Sequence, residues 1–349
     1  MSFTALVLAA TAAAVAPPAP QMNDTQAVGT HNSYKQAMSD AVRAEIARRD
    51  AAAAEALDYS HPPLADQLDR GARQLELDVN SDPEGGYYAS GPDDAELLQP
   101  GFKVLHMAFS DAATSCTRLV TCLVQIRDWS AAHPDHAPVL LMFNAKETAD
   151  EATGKPALRF DEAAFDALDA EIRSVIPRDM LILPDDVQGS YPTLRDAVLA
   201  GSWPALDAAR GKLFFALDEG PAKVAIYSGA RRSLEGRVFF VNTDDQSPAA
   251  AYMTINDPMA EGDHIRRMVE AGFIVRTRAD ADTREARAGS LVRLRAALDS
   301  GAQYISTDYL WEDPRFPGYE VRLPADETLR PNPVRCGDDA ARCVLPAEN

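Results

Sequence analysis

Short apolar runs recur along this chain at 26–30, 73–79, 104–107, 139–143, 213–217, 238–241, 273–276 and 304–306. Each is three to seven residues long and mostly uninterrupted, as expected of strands covered on both faces. Between many of them lie stretches with helical spacing of apolar residues, at 41–56, 122–132, 162–174, 194–199, 264–271 and 286–299. Pro134, Gly211, Gly272 and Gly301 punctuate the helix-to-strand turns. Strand–helix alternation sustained over most of the sequence predicts an α/β fold built on a parallel sheet. Eight strand candidates suggest a distorted (β/α)8 TIM-type barrel. An open doubly wound sheet is the runner-up, and no glycine-rich fingerprint follows any strand to support it.

The polar positions carry a second pattern. They collect where the apolar runs end: His31 and Asn32, Asp78 and Asn80, Asn144 and Lys146, Asp218, Asn242, then Arg276, Arg278 and Asp280, then Thr307 and Asp308. In a barrel this C-terminal rim is where active sites are built. Within 73–79, Glu76 and Asp78 stand two apart and so face the same side of a strand. Two carboxylates on one face repel unless something positive lies between them. A hard cation such as calcium suits carboxylate and amide oxygens. Asn32 can supply an amide oxygen and leave the adjacent His31 free to carry a proton. That combination suits metal-assisted cleavage of a phosphodiester.

Composition narrows the picture. The 349 residues carry a formal net charge of −19. No basic stripe is available to replace phosphate counterions, so nucleic-acid binding is excluded, and a polybasic membrane anchor with it. Residues 1–16 form an apolar, alanine-rich leader before Pro17-Pro18, which reads as a secretory signal peptide followed by a single domain over 17–349. The four cysteines lie in two close pairs, Cys116 with Cys122 and Cys336 with Cys343. Four cysteines allow three connectivities, and closeness favours the two local loops, in keeping with export. His61, His133 and His136 read as loop or surface groups, and His264 as solvent-facing.

Three motifs together resemble the calcium-dependent bacterial branch of phosphatidylinositol-specific phospholipase C. They are Gly-Thr-His-Asn-Ser-Tyr at 29–34, Leu-Ala-Asp-Gln-Leu-Asp-Arg-Gly-Ala-Arg-Gln-Leu-Glu-Leu-Asp-Val at 64–79, and Val-Leu-His-Met at 104–107. Stretches at 133–138, 272–280 and 300–309 resemble that branch too. The resemblance implies a secreted enzyme that cleaves the glycerol–phosphate bond of phosphatidylinositol by attack of the inositol 2-hydroxyl, giving diacylglycerol and cyclic inositol phosphate. It implies His31 as stabiliser of the pentavalent phosphorus, His106 as donor of the leaving-group proton, and a calcium-bound carboxylate as base. Asn32, Glu76 and Asp78 match calcium ligands. Asn144 stands where the wider family has an acidic ligand, and Glu147 is the alternative fourth donor. Lys146, Arg276 and Arg278 are candidate phosphate contacts. The expected partners are an inositol phospholipid and, transiently, a membrane surface, with the chain acting as a monomer.

Two other classes fit the bare residues. One is another barrel phosphodiesterase, of glycerophosphodiester or sphingomyelinase type. The glycerophosphodiesterase motif begins His-Arg-Gly, whereas this chain has His31-Asn32-Ser33. The other is a non-catalytic binding protein on the same scaffold, against which the two histidines speak.

Overall fold

The computed structural model describes residues 19–337 and 343–345; the leader expected over 1–16 lies outside them. Ten strands follow in order: β1 (Thr25–Thr30), β2 (Gln74–Asn80), β3 (Lys103–Val104), β4 (Val139–Lys146), β5 (Leu213–Leu217), β6 (Phe239–Val241), β7 (Tyr252–Thr254), β8 (Ile274–Arg278), β9 (Tyr304–Thr307) and β10 (Arg330–Pro331). They form two five-stranded sheets, β3-β2-β4-β5-β6 and β10-β1-β9-β8-β7. Every pairing is parallel except those of the two short strands β3 and β10 at the ends. The sheets are joined sparsely. A parallel bridge between Asn242 and Tyr252 links β6 to β7. The Arg73 N–H donates to the Val28 carbonyl (2.9 Å) and the Ser33 N–H to that of Glu76 (3.0 Å), which links β1 to β2. Eight parallel strands in two facing arcs are consistent with a distorted TIM-type barrel.

The arcs touch across a filled interior. The rings of Phe214 on β5 and Tyr304 on β9 lie 5.7 Å apart, and the Tyr252 hydroxyl on β7 sits 3.0 Å from the Met142 sulfur on β4. Because side chains alternate along a strand, these contacts identify the inward face. It carries Phe214, Ala216 and Asp218 in turn, or Met142, Asn144 and Lys146, or Tyr304, Ser306 and Asp308. On each strand the inward residues change from apolar to polar toward the C-terminal end. Gly29 lets β2 approach β1: a Cβ there would stand 2.4 Å from the Gln74 carbonyl oxygen.

The strand expected at 104–107 is corrected. Only Lys103–Val104 is extended, and it pairs antiparallel with the edge of β2, because the chain then folds back on itself through a bridge between Met107 and Asp111. The eighth parallel strand is instead β7, three residues preceded by Ala249-Ala250-Ala251, a stretch without strand propensity. The helix expected at 41–56 is two, Asp40–Arg49 and Ala51–Ala56. Asp50 leaves the helical region (φ −152°) and its carboxylate caps the second helix by accepting from the Ala52 and Ala53 N–H groups. Both cysteine pairs are disulfide-bonded, Cys116–Cys122 and Cys336–Cys343. His61 lies in a loop, as expected, and is buried there, whereas His136, expected at the surface or as a cap, is buried; the His136 ring sits between the Ser130 hydroxyl and the Ala137 carbonyl, 2.6 Å from each. Among the described residues no helix is long and apolar enough to cross a membrane.

Candidate active site

The polar ends of the inward faces enclose a cavity of about 320 Å3. His31, Asn32, Glu76, His106, Asn144, Lys146, Arg276 and Arg278 all line it. Asp78 lies fully buried at its edge, facing Asn144 in register across β2 and β4. Tyr59, Asp218, Asn256 and Asp308 complete the polar wall.

His31 leaves β1 with its N–H donated to the Thr307 carbonyl (3.0 Å). Its ring Nδ1 lies 2.8 Å from Asp308 Oδ1, and Arg278 donates to the other oxygen of that carboxylate at 3.0 Å. With Nδ1 held on a carboxylate, Nε2 is the nitrogen left for the cavity; Glu76 Oε1 is 3.8 Å from it. Burial lowers the His31 pKa well below the ordinary value, and the Arg278 and Arg276 charges lower it further, so the ring is neutral near pH 7. Beneath it the His61 Nε2 lies 2.8 Å from the His31 carbonyl oxygen. Burial pushes His61 down to about 4, which leaves a neutral ring able to donate there.

Asn32 adopts a left-handed backbone (φ 47°), a conformation that asparagine tolerates better than most residues. Its amide nitrogen donates to the Tyr59 hydroxyl at 2.7 Å, so its oxygen is the end available to a cation. Glu76 is buried, with Arg276 donating to Oε2 at 2.6 Å and Asn144 to Oε1 at 3.2 Å. Burial raises its pKa to about 7 against the lowering effect of Arg276. Lys146 places its ammonium 3.0 Å from Asp78 Oδ2, while Oδ1 has no hydrogen-bond partner among the described residues.

These donors suit a hard cation. An orphaned buried carboxylate oxygen, a second carboxylate and two amides form an all-oxygen set. No three His, Cys, Asp or Glu side chains converge among the described residues, so a cation here depends on the asparagine oxygens. Glu147, the alternative fourth donor, is turned away: it accepts from the Phe160 N–H (2.7 Å) and pairs with Arg159 (3.3 Å). Arg276, expected to meet substrate, is enclosed between Glu76 and Asn256. Lys146 is one-third exposed and Arg278 less so, at 34% and 13%, which leaves Lys146 the more open cation.

His106 reaches the cavity from the loop beyond β3. That loop is docked on β2 by the Leu105 N–H to the Asp78 carbonyl (3.2 Å) and the Asn80 amide to the Leu105 carbonyl (2.9 Å). Tyr59, Asn256 and the role of Asp308 are not evident from the sequence. Tyr59 lies in a loop with no periodic signal, and Asp308 is one of several similar rim aspartates.

Residues 21–333 match the model of a family described as phosphoinositide phospholipase C, Ca2+-dependent. No curated protein matches the chain. Among solved structures, the chain is similar to a calcium-dependent phosphoinositol-specific phospholipase C from Pseudomonas sp, in an apo form with myoinositol, at 15% identity and a TM-score of 0.56, covering 89% of this chain and 95% of that one. A second crystal form of the apo enzyme matches at 16% identity and 0.57, covering 90% and 98%. A Ca2+-dependent phosphatidylinositol-specific phospholipase C from Streptomyces antibioticus matches at 20% identity and 0.53, covering 83% and 95%. At these identities the structural likeness speaks to the fold. The match across nearly the whole described chain speaks to descent: the chain belongs to the calcium-dependent phosphoinositide phospholipase C family, whose members are phosphoric diester hydrolases.

Proposed function

We propose that this chain cleaves phosphatidylinositol at the glycerol–phosphate bond through the neighbouring inositol hydroxyl, with His31 as base and His106 as acid. The carrying observation is the His31–Asp308–Arg278 chain of contacts. Asp308 accepts from Nδ1 of a neutral ring, so Nε2 is the acceptor facing the cavity, with Arg278 Nη1 3.5 Å from it. That arrangement takes a hydroxyl proton and is steadied by the carboxylate as it becomes charged. This departs from the role the family resemblance implied for His31, because a ring whose Nδ1 is held on the Asp308 carboxylate presents Nε2 as an acceptor and has a counter-charge in place when it takes a proton. Glu76, already holding Arg276 and Asn144, is less free to serve as base.

Asn32, Glu76, Asp78 and Asn144 would hold the calcium. When bound, the ion supplies positive charge beside the phosphate oxygens and the attacking hydroxyl. Lys146 and Arg278 bring further positive charge to the phosphate. His106 protonates the departing glycerol oxygen, and diacylglycerol and cyclic inositol phosphate result. Two disulfides support an extracytoplasmic location, where a lipid head group would be met by transient surface contact.

The test is turnover of phosphatidylinositol in mixed micelles by wild type, His31→Ala and His106→Ala, each in calcium and in chelator. Wild type should turn over in calcium alone, and each variant should lose on the order of 10²- to 10⁴-fold in kcat. Turnover undiminished in either variant would refute the assignment for that histidine.

A further inference from the structure

The two histidines come from separate loops, and the structure fastens those loops together below the cavity. Residues just after His31 pair with the arm that carries His106. Lys35 and Thr114 form an antiparallel bridge, the Gln36 N–H donates to the Ala113 carbonyl at 3.1 Å and the Ser115 N–H to that of Tyr34 at 2.8 Å. Inside this junction lies a charged pair with no access to solvent. The Lys35 ammonium stands 3.2 Å from Asp111 Oδ2, with side-chain exposures of 0% and 1%.

Both ends of the pair lead to the site. The Lys35 ammonium donates to the Tyr59 carbonyl (3.2 Å) and packs 5.0 Å from the centre of the Tyr59 ring. The hydroxyl of that ring accepts from Asn32 and lies 3.3 Å from His31 Nδ1. On the other side, the Met107–Asp111 fold-back returns Asp111 to His106, whose Nδ1 is 3.3 Å from the same Oδ2 that faces Lys35. Asp111 Oδ1 has no hydrogen-bond partner among the described residues.

Burying an ion pair is rarely the most stabilising use of such space, because desolvation of both charges offsets their attraction and apolar side chains of similar volume often serve as well. A pair retained there is better explained by what it orients. A carboxylate fixed in place by an adjacent ammonium is a strong acceptor for one imidazole N–H, and so decides which nitrogen faces the substrate.

We infer that Lys35 and Asp111 are positioning residues for His106: Lys35 pairs with Asp111 and fixes its place, Asp111 accepts from His106 Nδ1, and His106 Nε2–H is thereby aimed at the departing oxygen. The inference rests on the reading of His106 as the acid. As the phosphorus–oxygen bond to glycerol breaks, the Nε2 proton passes to the glycerol oxygen and the ring is left neutral with Nδ1–H on Asp111. Because Lys35 also contacts Tyr59, one ammonium sets the spacing between the two histidine arms.

The experiment compares wild type, Asp111→Asn and His106→Ala on phosphatidylinositol and on the nitrophenyl ester of inositol phosphate, whose phenolate departs without a proton. Asp111→Asn should lose on the order of 10²-fold in kcat on the lipid with KM little changed, and under about fivefold on the nitrophenyl ester, following the pattern of His106→Ala. Equal losses on both substrates would mark Asp111 as merely structural and overturn the inference. Nitrogen NMR of labelled histidine supplies a readout independent of turnover. The neutral His106 ring should carry its proton on Nδ1 in wild type and lose that preference in Asp111→Asn; a wild-type ring protonated on Nε2 alone would overturn the inference even if the enzyme is active. Failure of wild type to turn over either substrate, with the Nδ1 tautomer present, would instead count against the proposed reaction and leave the Asp111–His106 contact standing.

Discussion

At the scale of single residues, the site is a set of charges held apart by short, buried contacts. Asp308 is the clearest case. It keeps one ring nitrogen of His31 occupied and shares its other oxygen with Arg278. Asp308→Asn preserves the shape but can hold the ring in the wrong tautomer, so kcat should fall on the order of 10²-fold or more while KM changes little, as steady-state kinetics would show. The cation site makes a different prediction. Asp78 faces the Lys146 ammonium, and Asn144 supplies an amide where a carboxylate would bind more tightly. Lys146→Met and Asn144→Glu should each raise calcium affinity, by roughly tenfold, in calorimetric titration. Unchanged affinity in both would place the ion elsewhere. His61 gives a dependence on pH. Its pKa falls from 6.5 to about 4 on folding, so below 6.5 the unfolded chain takes up a proton that the folded one refuses. The stability that His61 contributes is therefore full above pH 6.5 and is lost as pH falls toward 4. Urea midpoints at pH 7.5 and 5 should differ less in His61→Gln than in wild type.

At the scale of elements, the inward faces of the strands explain why the site sits where it does. The same alternation that packs Phe214, Met142 and Tyr304 in the interior delivers Asp218, Asn144 and Asp308 to the rim two or four residues later. This much was legible in the sequence, because apolar runs ending in polar residues are visible without knowing their neighbours. The parts that were not legible depend on contacts distant along the chain. Val104-Leu105 reads as a strand, yet its extension stops where Met107 and Asp111 pair. β7 is too short, and its alanine approach too neutral, to stand out. Asp50 splits a helix whose composition alone is continuous. Lys35 follows the His31 motif directly, but nothing in its spacing indicates that its ammonium is buried against Asp111. Gly29 allows a test at this scale. Gly29→Ala would set a Cβ against the Gln74 carbonyl, force β2 away from β1 and destabilise the fold by about 1–3 kcal/mol, read as a lowered urea midpoint.

At the scale of the whole molecule, two parallel arcs are held together by few backbone bonds and by a filled interior. Their polar ends meet over one cavity. The formal charge of −19 gives no broad attraction to anionic lipid, so positive charge at the cavity must come from Lys146, Arg276, Arg278 and a bound cation. The proposed reaction rests on one chemical feature, that the nucleophile is the substrate's own hydroxyl. Phosphorus NMR of the protein with phosphatidylinositol micelles, in calcium and then in chelator, tests it most directly. The expected first product is a cyclic inositol phosphate, formed in calcium, missing in chelator and strongly diminished in His31→Ala. An acyclic inositol phosphate formed from the outset would contradict it and would mean that water, rather than the inositol hydroxyl, attacks the phosphorus.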